Sequence, residues 1–310
     1  MDIVTHGLIG ATLSGLFLKR VDPAVATVTL ISSSVIPDID YVVRFWGMTN
    51  YLKHHRGITH SILGVIILSL ILAGLIKVFS RSTSYWTILL LCFLGSFIHL
   101  FFDLTNAYGT QILLPFSKHR YHWDWLMLID LPIFFLLLVG LIISWIKRPY
   151  AFQVAVTVLV IIGLYIGFRA VVQARAEAWV KNYPLQNEQK IKYGAYPAFF
   201  PSTPFKWWTV IETEDNYYLG NLDLLNGDQN KHVRIEKTPE NEWAEIAKKS
   251  KTARVFLDFA KYPHLEVYQK DGNWIVEWDD LTFGLLRRKG FLAQVVVSPD
   301  KKILSESFRY

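Results

Sequence analysis

The sequence predicts an α-helical multi-pass membrane domain, with four clear apolar helices and two short ones ahead of them, followed by a small α+β soluble domain. Three observations carry this expectation. Of 310 residues, 52% are hydrophobic and only 19% are charged, against about 25% charged in an ordinary soluble domain. The charge is unevenly spread: residues 1–170 hold 12 Lys/Arg and 7 Asp with no Glu, whereas residues 171–310 hold 20 Lys/Arg and 19 Asp/Glu. The oily part also contains apolar runs near the ~20 residues that cross ~30 Å of hydrocarbon. The expected boundary is therefore residue 170, with a membrane domain at 1–170 and a soluble domain at 171–310.

The clearest spans are 61–79 and 85–104. Two more, 129–146 and 150–168, are separated by Lys147, Arg148 and Pro149. Ahead of them lie two shorter runs, 3–18 and 24–37, joined by Lys19-Arg20-Val21-Asp22-Pro23. These read as short spans, a re-entrant pair or helices buried by their neighbours. A cleaved signal peptide fits the first run poorly, because its start has no positive residue and His6 and Gly7 interrupt it. After residue 170 the pattern changes to a charged helix at 171–182 and a Pro/aromatic segment at 193–204. Strand-like alternation follows at 207–212, 217–222 and 231–236, then a polar helix near 240–250. The runs 264–270 and 274–279, joined by Asp271-Gly272-Asn273, predict a hairpin. Strands at 291–297 and 303–309, turned by Pro299-Asp300, complete the domain.

The net charge of +6 divides into +5 on the oily part and +1 on the polar part. A nucleic-acid binder would gather its excess on a soluble face, so no nucleic-acid partner is expected. The single cysteine, Cys92, excludes an intrachain disulfide and a Cys-rich zinc site.

The polar exceptions within the oily part fall in a pattern. His6 opens the first run, and Asp38 and Asp40 close the second. His54, His55 and His60 precede the third, and His99 and Asp103 lie four apart, on one helical face, at the end of the fourth. If the runs alternate direction across the bilayer, all these residues meet on one side. Ionisable groups in membrane helices cost up to ~2.5–3.5 kcal/mol each and are usually paired or functional. Imidazole nitrogens with carboxylate oxygens suit zinc, manganese or iron, and mixed sets of this size support hydrolysis.

Taken singly, several of these residues have plainer readings. His6 alone reads more readily as an interfacial residue than as a ligand. Asp38 and Asp40 could be turn caps, and His99 with Asp103 could be a hydrogen-bonded helix pair. The set as a whole favours a site. A second group, from His119 through His122 and Asp124 to Asp130, falls on the same side. Its Tyr and Trp residues suit headgroup depth, while His122 and Asp124 could contact substrate or support the ligands.

These residues resemble the YdjM-like, LexA-regulated type of membrane-bound metal-dependent hydrolase. The matching pieces are Thr5-His6-Gly7 with Gly10, Pro37-Asp38-Ile39-Asp40, His55-Arg56-Gly57-Ile58-Thr59-His60-Ser61 and His99-Leu100-Phe101-Phe102-Asp103. They cover about residues 1–145, and the C-terminal portion stands outside them. The resemblance implies a multi-pass membrane protein with metal-dependent hydrolase activity.

The expected function is hydrolysis of an ester or phosphoester, lipid or lipid-linked, at the membrane surface. The expected metal ligands are His6, Asp38, Asp40, His55, His60, His99 and Asp103. They would hold one or two divalent ions, zinc first and manganese or iron as alternatives. Arg56 would clamp an oxyanion and His54 would shuttle a proton. The competing reading is a non-enzymatic membrane sensor or regulator. Its metal is structural or sensed, and its C-terminal domain binds a protein partner through aromatic segments such as Phe199-Phe200 and Trp207-Trp208. The short connectors opposite the site carry Lys19, Arg20, Lys77, Arg81, Lys147 and Arg148. By the positive-inside rule they lie in the cytoplasm, which places the site and the C-terminal domain outside.

Overall fold

The structure, a computed structural model, describes residues 1–185, 188–198, 203–226, 232–288 and 291–309. In chain order its helices are α1 (Ile3–Ser14), α2 (Pro23–Val35), α3 (Met48–His54), α4 (Ile62–Phe79), α5 (Tyr85–Leu104), α6 (Leu131–Ile146), α7 (Ala151–Asn182), α8 (Glu242–Ala247) and α9 (Lys251–Phe259). The strands are β1 (Lys192–Pro197), β2 (Lys206–Glu212), β3 (Asn216–Asp223), β4 (Val233–Glu236), β5 (Pro263–Lys270), β6 (Asn273–Asp280), β7 (Leu292–Val297) and β8 (Ile303–Arg309). Two compact units result: Met1–Tyr41 with Arg56–Val171, and Val42–His55 with Val172–Tyr310.

The first unit is helical, and its helices start where side chains can satisfy free backbone N–H groups. Asp2 caps α1, Asp22 caps α2 with Pro23 in the first turn, and Ser61, Ser84 and Asp130 cap α4, α5 and α6. Among the described residues, four helical segments are long and apolar enough to cross a membrane: Pro23–Trp46, Ile62–Phe79, Tyr85–Leu104 and Arg148–Asn182.

Three elements differ from the sequence expectation. The run at 24–37 does not stop at Pro37 but continues as a 3-10 segment, Ile36–Trp46. Pro37 stands in the first turn of that segment, where its missing N–H is not needed. The segment at 129–146 instead yields α6, only 16 residues long, because Asp130 stops it at one end and Lys147 at the other. The charged helix expected at 171–182 is the continuation of α7, since no proline interrupts the chain between Pro149 and Pro184.

Close helix approach depends on small residues. A Cβ on Gly10 would lie 2.4 Å from the Leu30 carbonyl oxygen, and one on Gly95 would lie 2.0 Å from Ser33 Oγ. These two positions let α1 and α5 press against α2. Around that contact Ile9, Leu13, Ala26, Leu30, Leu91 and Phe102 form a buried apolar cluster with Leu137 of α6 and Val158 of α7.

The second unit carries two four-stranded antiparallel meanders, β1-β2-β3-β4 and β5-β6-β7-β8. The Asp271-Gly272 turn, with φ of 52° and 79°, pairs Lys270 with Asn273. Two positive-φ residues are what a tight hairpin of this hand requires. The C-terminal turns of α7 cover the first sheet, burying Val172, Ala176 and Val180 against Trp207, Ile211 and Leu222. Helix α9 packs on β7 and β8, and α3 packs on α9, where Thr49 Oγ1 and Thr252 Oγ1 lie 3.0 Å apart.

The aromatic pair Trp207-Trp208 is not the exposed segment expected from the sequence. Trp207 is fully buried, and the half-buried Trp208 donates its indole N–H to the Leu281 carbonyl at 2.8 Å. Helix α7 covers the Trp207 face of β2, and the Leu281 segment meets Trp208. The Pro/aromatic segment at 193–204 overlaps β1, and Phe199-Phe200 lies outside the described residues.

Candidate metal centre

Four segments of the first unit supply the centre. Helix α1 brings His6 and the 3-10 segment brings Asp38 and Asp40. The short 3-10 turn Ile58–His60 brings His60, and the last turn of α5 brings His99 and Asp103. All six side chains are buried, with His60, His99 and Asp103 at 0% exposure.

Their polar atoms converge. His6 Nε2 lies 3.2 Å from Asp103 Oδ1, His60 Nε2 lies 3.3 Å from Asp38 Oδ1 and 3.4 Å from Asp103 Oδ2, and His99 Nε2 lies 3.4 Å from Asp103 Oδ2. The His6 and His99 rings stack at 3.7 Å. Two overlapping groups, His6–Asp38–His99 and His60–His99–Asp103, each offer one ligand atom apiece within the spacing that a single ion needs.

Groups behind the imidazoles orient them, and for His99 they set the tautomer. His99 Nδ1 lies 2.8 Å from the Ser34 carbonyl oxygen. A carbonyl only accepts, so Nδ1 carries the proton and the Nε2 lone pair faces the centre. His60 Nδ1 lies 3.2 Å from Asp40 Oδ2, and this carboxylate also accepts from Arg56 N–H and Thr59 Oγ1, each at 3.0 Å. Such carboxylate or carbonyl backing is how proteins orient imidazole ligands. Burial alone would lower the pKa of His60, but the Asp38, Asp40 and Asp103 carboxylates outweigh it and raise it to about 9. An ion entering here would therefore displace a proton from that ring.

The centre also has atoms that the protein does not satisfy. Asp38 Oδ2, Asp103 Oδ2 and His99 Nε2 are buried and have no hydrogen-bond partner among the described residues. Leaving such a group unmet costs about 1–3 kcal/mol, and more when it is charged. Lone pairs of oxygen and nitrogen meeting in one buried place are the donor set of a divalent transition-metal ion.

Arg56 sits at the edge of this set with a left-handed backbone, φ 58°, which costs a non-glycine residue about 1–2 kcal/mol. That conformation lets its N–H reach Asp40 while its guanidinium reaches Asp103. Nη2 pairs with Asp103 Oδ1 at 2.9 Å, and Nη1 donates to Asn106 Oδ1 at 2.7 Å and to the Asp103 carbonyl at 3.3 Å. The Met1 backbone amine also pairs with Asp103.

His54 is exposed at the end of α3, and His55 is buried with its ring stacked on Tyr51 at 4.6 Å; both belong to the second unit. His122 Nδ1 pairs with Asp124 Oδ2 at 2.9 Å. Asp130 caps α6 and accepts from the Tyr165 hydroxyl at 3.4 Å. Ser34, Thr59 and Asn106 support the centre without marking themselves in the sequence. The one available signal for Asn106 is its position three residues after Asp103.

The chain is 27% identical over 321 residues to a Bacillus subtilis (strain 168) protein named "Uncharacterized protein YfhP", covering 98% of this chain and 94% of that one. No solved structure matches the chain. The family model described as "YdjM inner membrane protein" matches residues 1–176, the stretch that holds every residue of the centre, and the chain therefore belongs to the YdjM inner membrane protein family.

Proposed function

We propose that this membrane protein is a metal-dependent hydrolase that cleaves an ester or phosphoester presented at the membrane surface. The observation that carries the reading is the convergence of three imidazole Nε2 atoms with the Asp38 and Asp103 carboxylates in one buried place. His6, Asp38, His60, His99 and Asp103 would hold one or two divalent ions, zinc in the first instance, with Asp40 backing His60. Chemistry supplied by such an ion is Lewis-acid activation of water, to a pKa of about 7, and of the scissile carbonyl or phosphoryl oxygen.

The protein's own groups do the rest. Ser34 and Asp40 hold His99 and His60 with their lone pairs inward. Asp38 Oδ2, which meets no donor among the described residues, is placed to take a proton from water. Arg56 fixes Asp103 through Nη2 and leaves Nε–H for an oxyanion. A lipid or lipid-linked ester suits a centre at the ends of membrane helices, and the basic connectors Lys19-Arg20 and Lys147-Arg148 favour an extracytoplasmic side for it.

The test is elemental analysis of the detergent-purified protein, with hydrolysis of phosphoester and carboxylic ester lipids followed with and without chelator. His60→Ala and Asp103→Ala should each remove both metal and turnover; retention of both would overturn the reading. A second reading, a regulator with a structural ion, is favoured by the complete burial of His60, His99 and Asp103. It predicts one coordinatively saturated ion per chain and no turnover in the same experiment.

A further inference from the structure

Beside the carboxylate centre the first unit holds a group of the opposite character, built from donors. Asn106 Oδ1 accepts from Arg56 Nη1 at 2.7 Å and from the Tyr108 N–H at 3.0 Å. Both partners are donors, so this oxygen is unambiguously the amide carbonyl, and the Asn106 NH2 group is what remains. Asn106 Nδ2 and Arg56 Nε are both buried and meet no acceptor among the described residues, and the same is true of Thr110 Oγ1. Thr110 adjoins Gln111, whose N–H donates to the Arg56 carbonyl at 3.0 Å.

A second guanidinium approaches the same place. Arg56 and Arg120 lie 5.0 Å and 5.9 Å from the centroid of the Tyr108 ring. Burial, together with the Arg56 charge, lowers the pKa of Arg120, with Tyr108 and Asp40 acting in the other direction. Two cations held against one ring, with buried N–H donors of Arg56 and Asn106 that meet no acceptor among the described residues, call for an acceptor-rich anion. Arg56 also pairs with Asp103, so that anion would stand next to the metal ligands.

We propose that Arg56, Asn106 and Arg120 form a phosphate subsite, so that the substrate is a phosphoester rather than a carboxylic ester. The planar guanidinium and the amide NH2 match the oxygens of a phosphoryl group. The phosphate could belong to a lipid headgroup or to a water-soluble molecule. This inference rests on the hydrolase reading for the role of the phosphate, but its binding does not require turnover.

The experiment uses the full chain in phosphatidylcholine nanodiscs, with inorganic phosphate titrated at constant ionic strength and the thermal unfolding midpoint as readout. Phosphate should raise the midpoint saturably, while chloride should not. Asn106→Asp keeps the acceptor for Arg56 and Tyr108 but replaces the donor with a second oxygen. It should weaken phosphate binding at least tenfold. Arg120→Gln, at a half-buried position, should do the same and guards against misfolding at Asn106. If inorganic phosphate is inert, nanodiscs containing phosphatidic acid provide the lipid arm, and stabilisation there that both variants lose also supports the subsite. Equal effects of chloride and phosphate, no effect in either arm, or wild-type titrations in both variants would overturn it. Binding without hydrolysis would remove the hydrolase reading and leave the subsite. Hydrolysis of carboxylic esters without phosphate binding would do the reverse.

Discussion

Asp103 is the residue on which stability and metal binding are most tightly joined, and substituting it separates the two. Asp103→Asn preserves shape but removes the charge that faces Arg56 Nη2 at 2.9 Å, with Arg56 itself only 1% exposed. Breaking a buried ion pair by removing one partner typically costs about 3–5 kcal/mol, because the other charge stays buried. At roughly 2–4 °C per kcal/mol for a protein of this size class, the unfolding midpoint of metal-free protein should fall by roughly 6–20 °C. Arg56→Gln in the same chain removes one of the two charges that Asp103 faces, the other being the Met1 amine, and can still donate to Asn106. The double variant should therefore recover part of the lost stability. It should not recover metal, because the carboxylate that His6, His60 and His99 face at 3.2–3.4 Å remains replaced by a neutral amide. Thermal unfolding in detergent and elemental analysis on the same preparations give both readouts. A single variant as stable and as metal-loaded as the wild type would refute the reasoning, and so would a double variant less stable than either single one.

Other perturbations test separate links. Gly95→Ala places a methyl group 2.0 Å from Ser33 Oγ and 3.1 Å from the Ser34 nitrogen. It should cost about 1–3 kcal/mol by overpacking and disturb the Ser34 carbonyl that orients His99; Ser33→Gly should relieve it in a double-mutant cycle of unfolding midpoints. Asp280 accepts from the backbone N–H groups of Lys261, Tyr262 and Thr282 at 2.9–3.1 Å. Asp280→Ala should therefore destabilise the second unit by at least about 2 kcal/mol, read as earlier quenching changes of its tryptophans in urea. Asp271→Cys, at an exposed hairpin turn in a chain whose Cys92 is buried, should react with an impermeant maleimide in intact cells if the C-terminal domain is extracytoplasmic. Protection until the cells are opened would place it inside.

Much of the membrane architecture was legible because its signals are local. Asp2, Asp22, Ser61, Ser84 and Asp130 stand immediately ahead of apolar runs, and each caps the helix that follows. The apolar lengths at 61–79 and 85–104 predicted α4 and α5 to within a residue or two. The same locality explains the errors. Pro37 looked like a stop, but the backbone passed it as a 3-10 segment, and α6 proved short because caps at both ends trimmed it. Trp207 and Trp208 looked exposed, since no local rule reveals that α7 and the Leu281 segment pack on β2.

The candidate centre divides along the same line. The sequence by itself determined which residues are chemically costly: histidines and aspartates set in apolar runs have no cheap explanation, and the four-residue spacing of His99 and Asp103 places both on one face of α5. Tertiary structure alone decided how they meet. Ser34 orients His99 from across the α2–α5 contact, 65 positions away in sequence, and Asn106 acquires its importance only because Arg56 reaches it from another segment. Hydrogen bonds and ion pairs between distant segments depend on distances of a few tenths of an ångström, which helix packing sets and no spacing along the chain encodes.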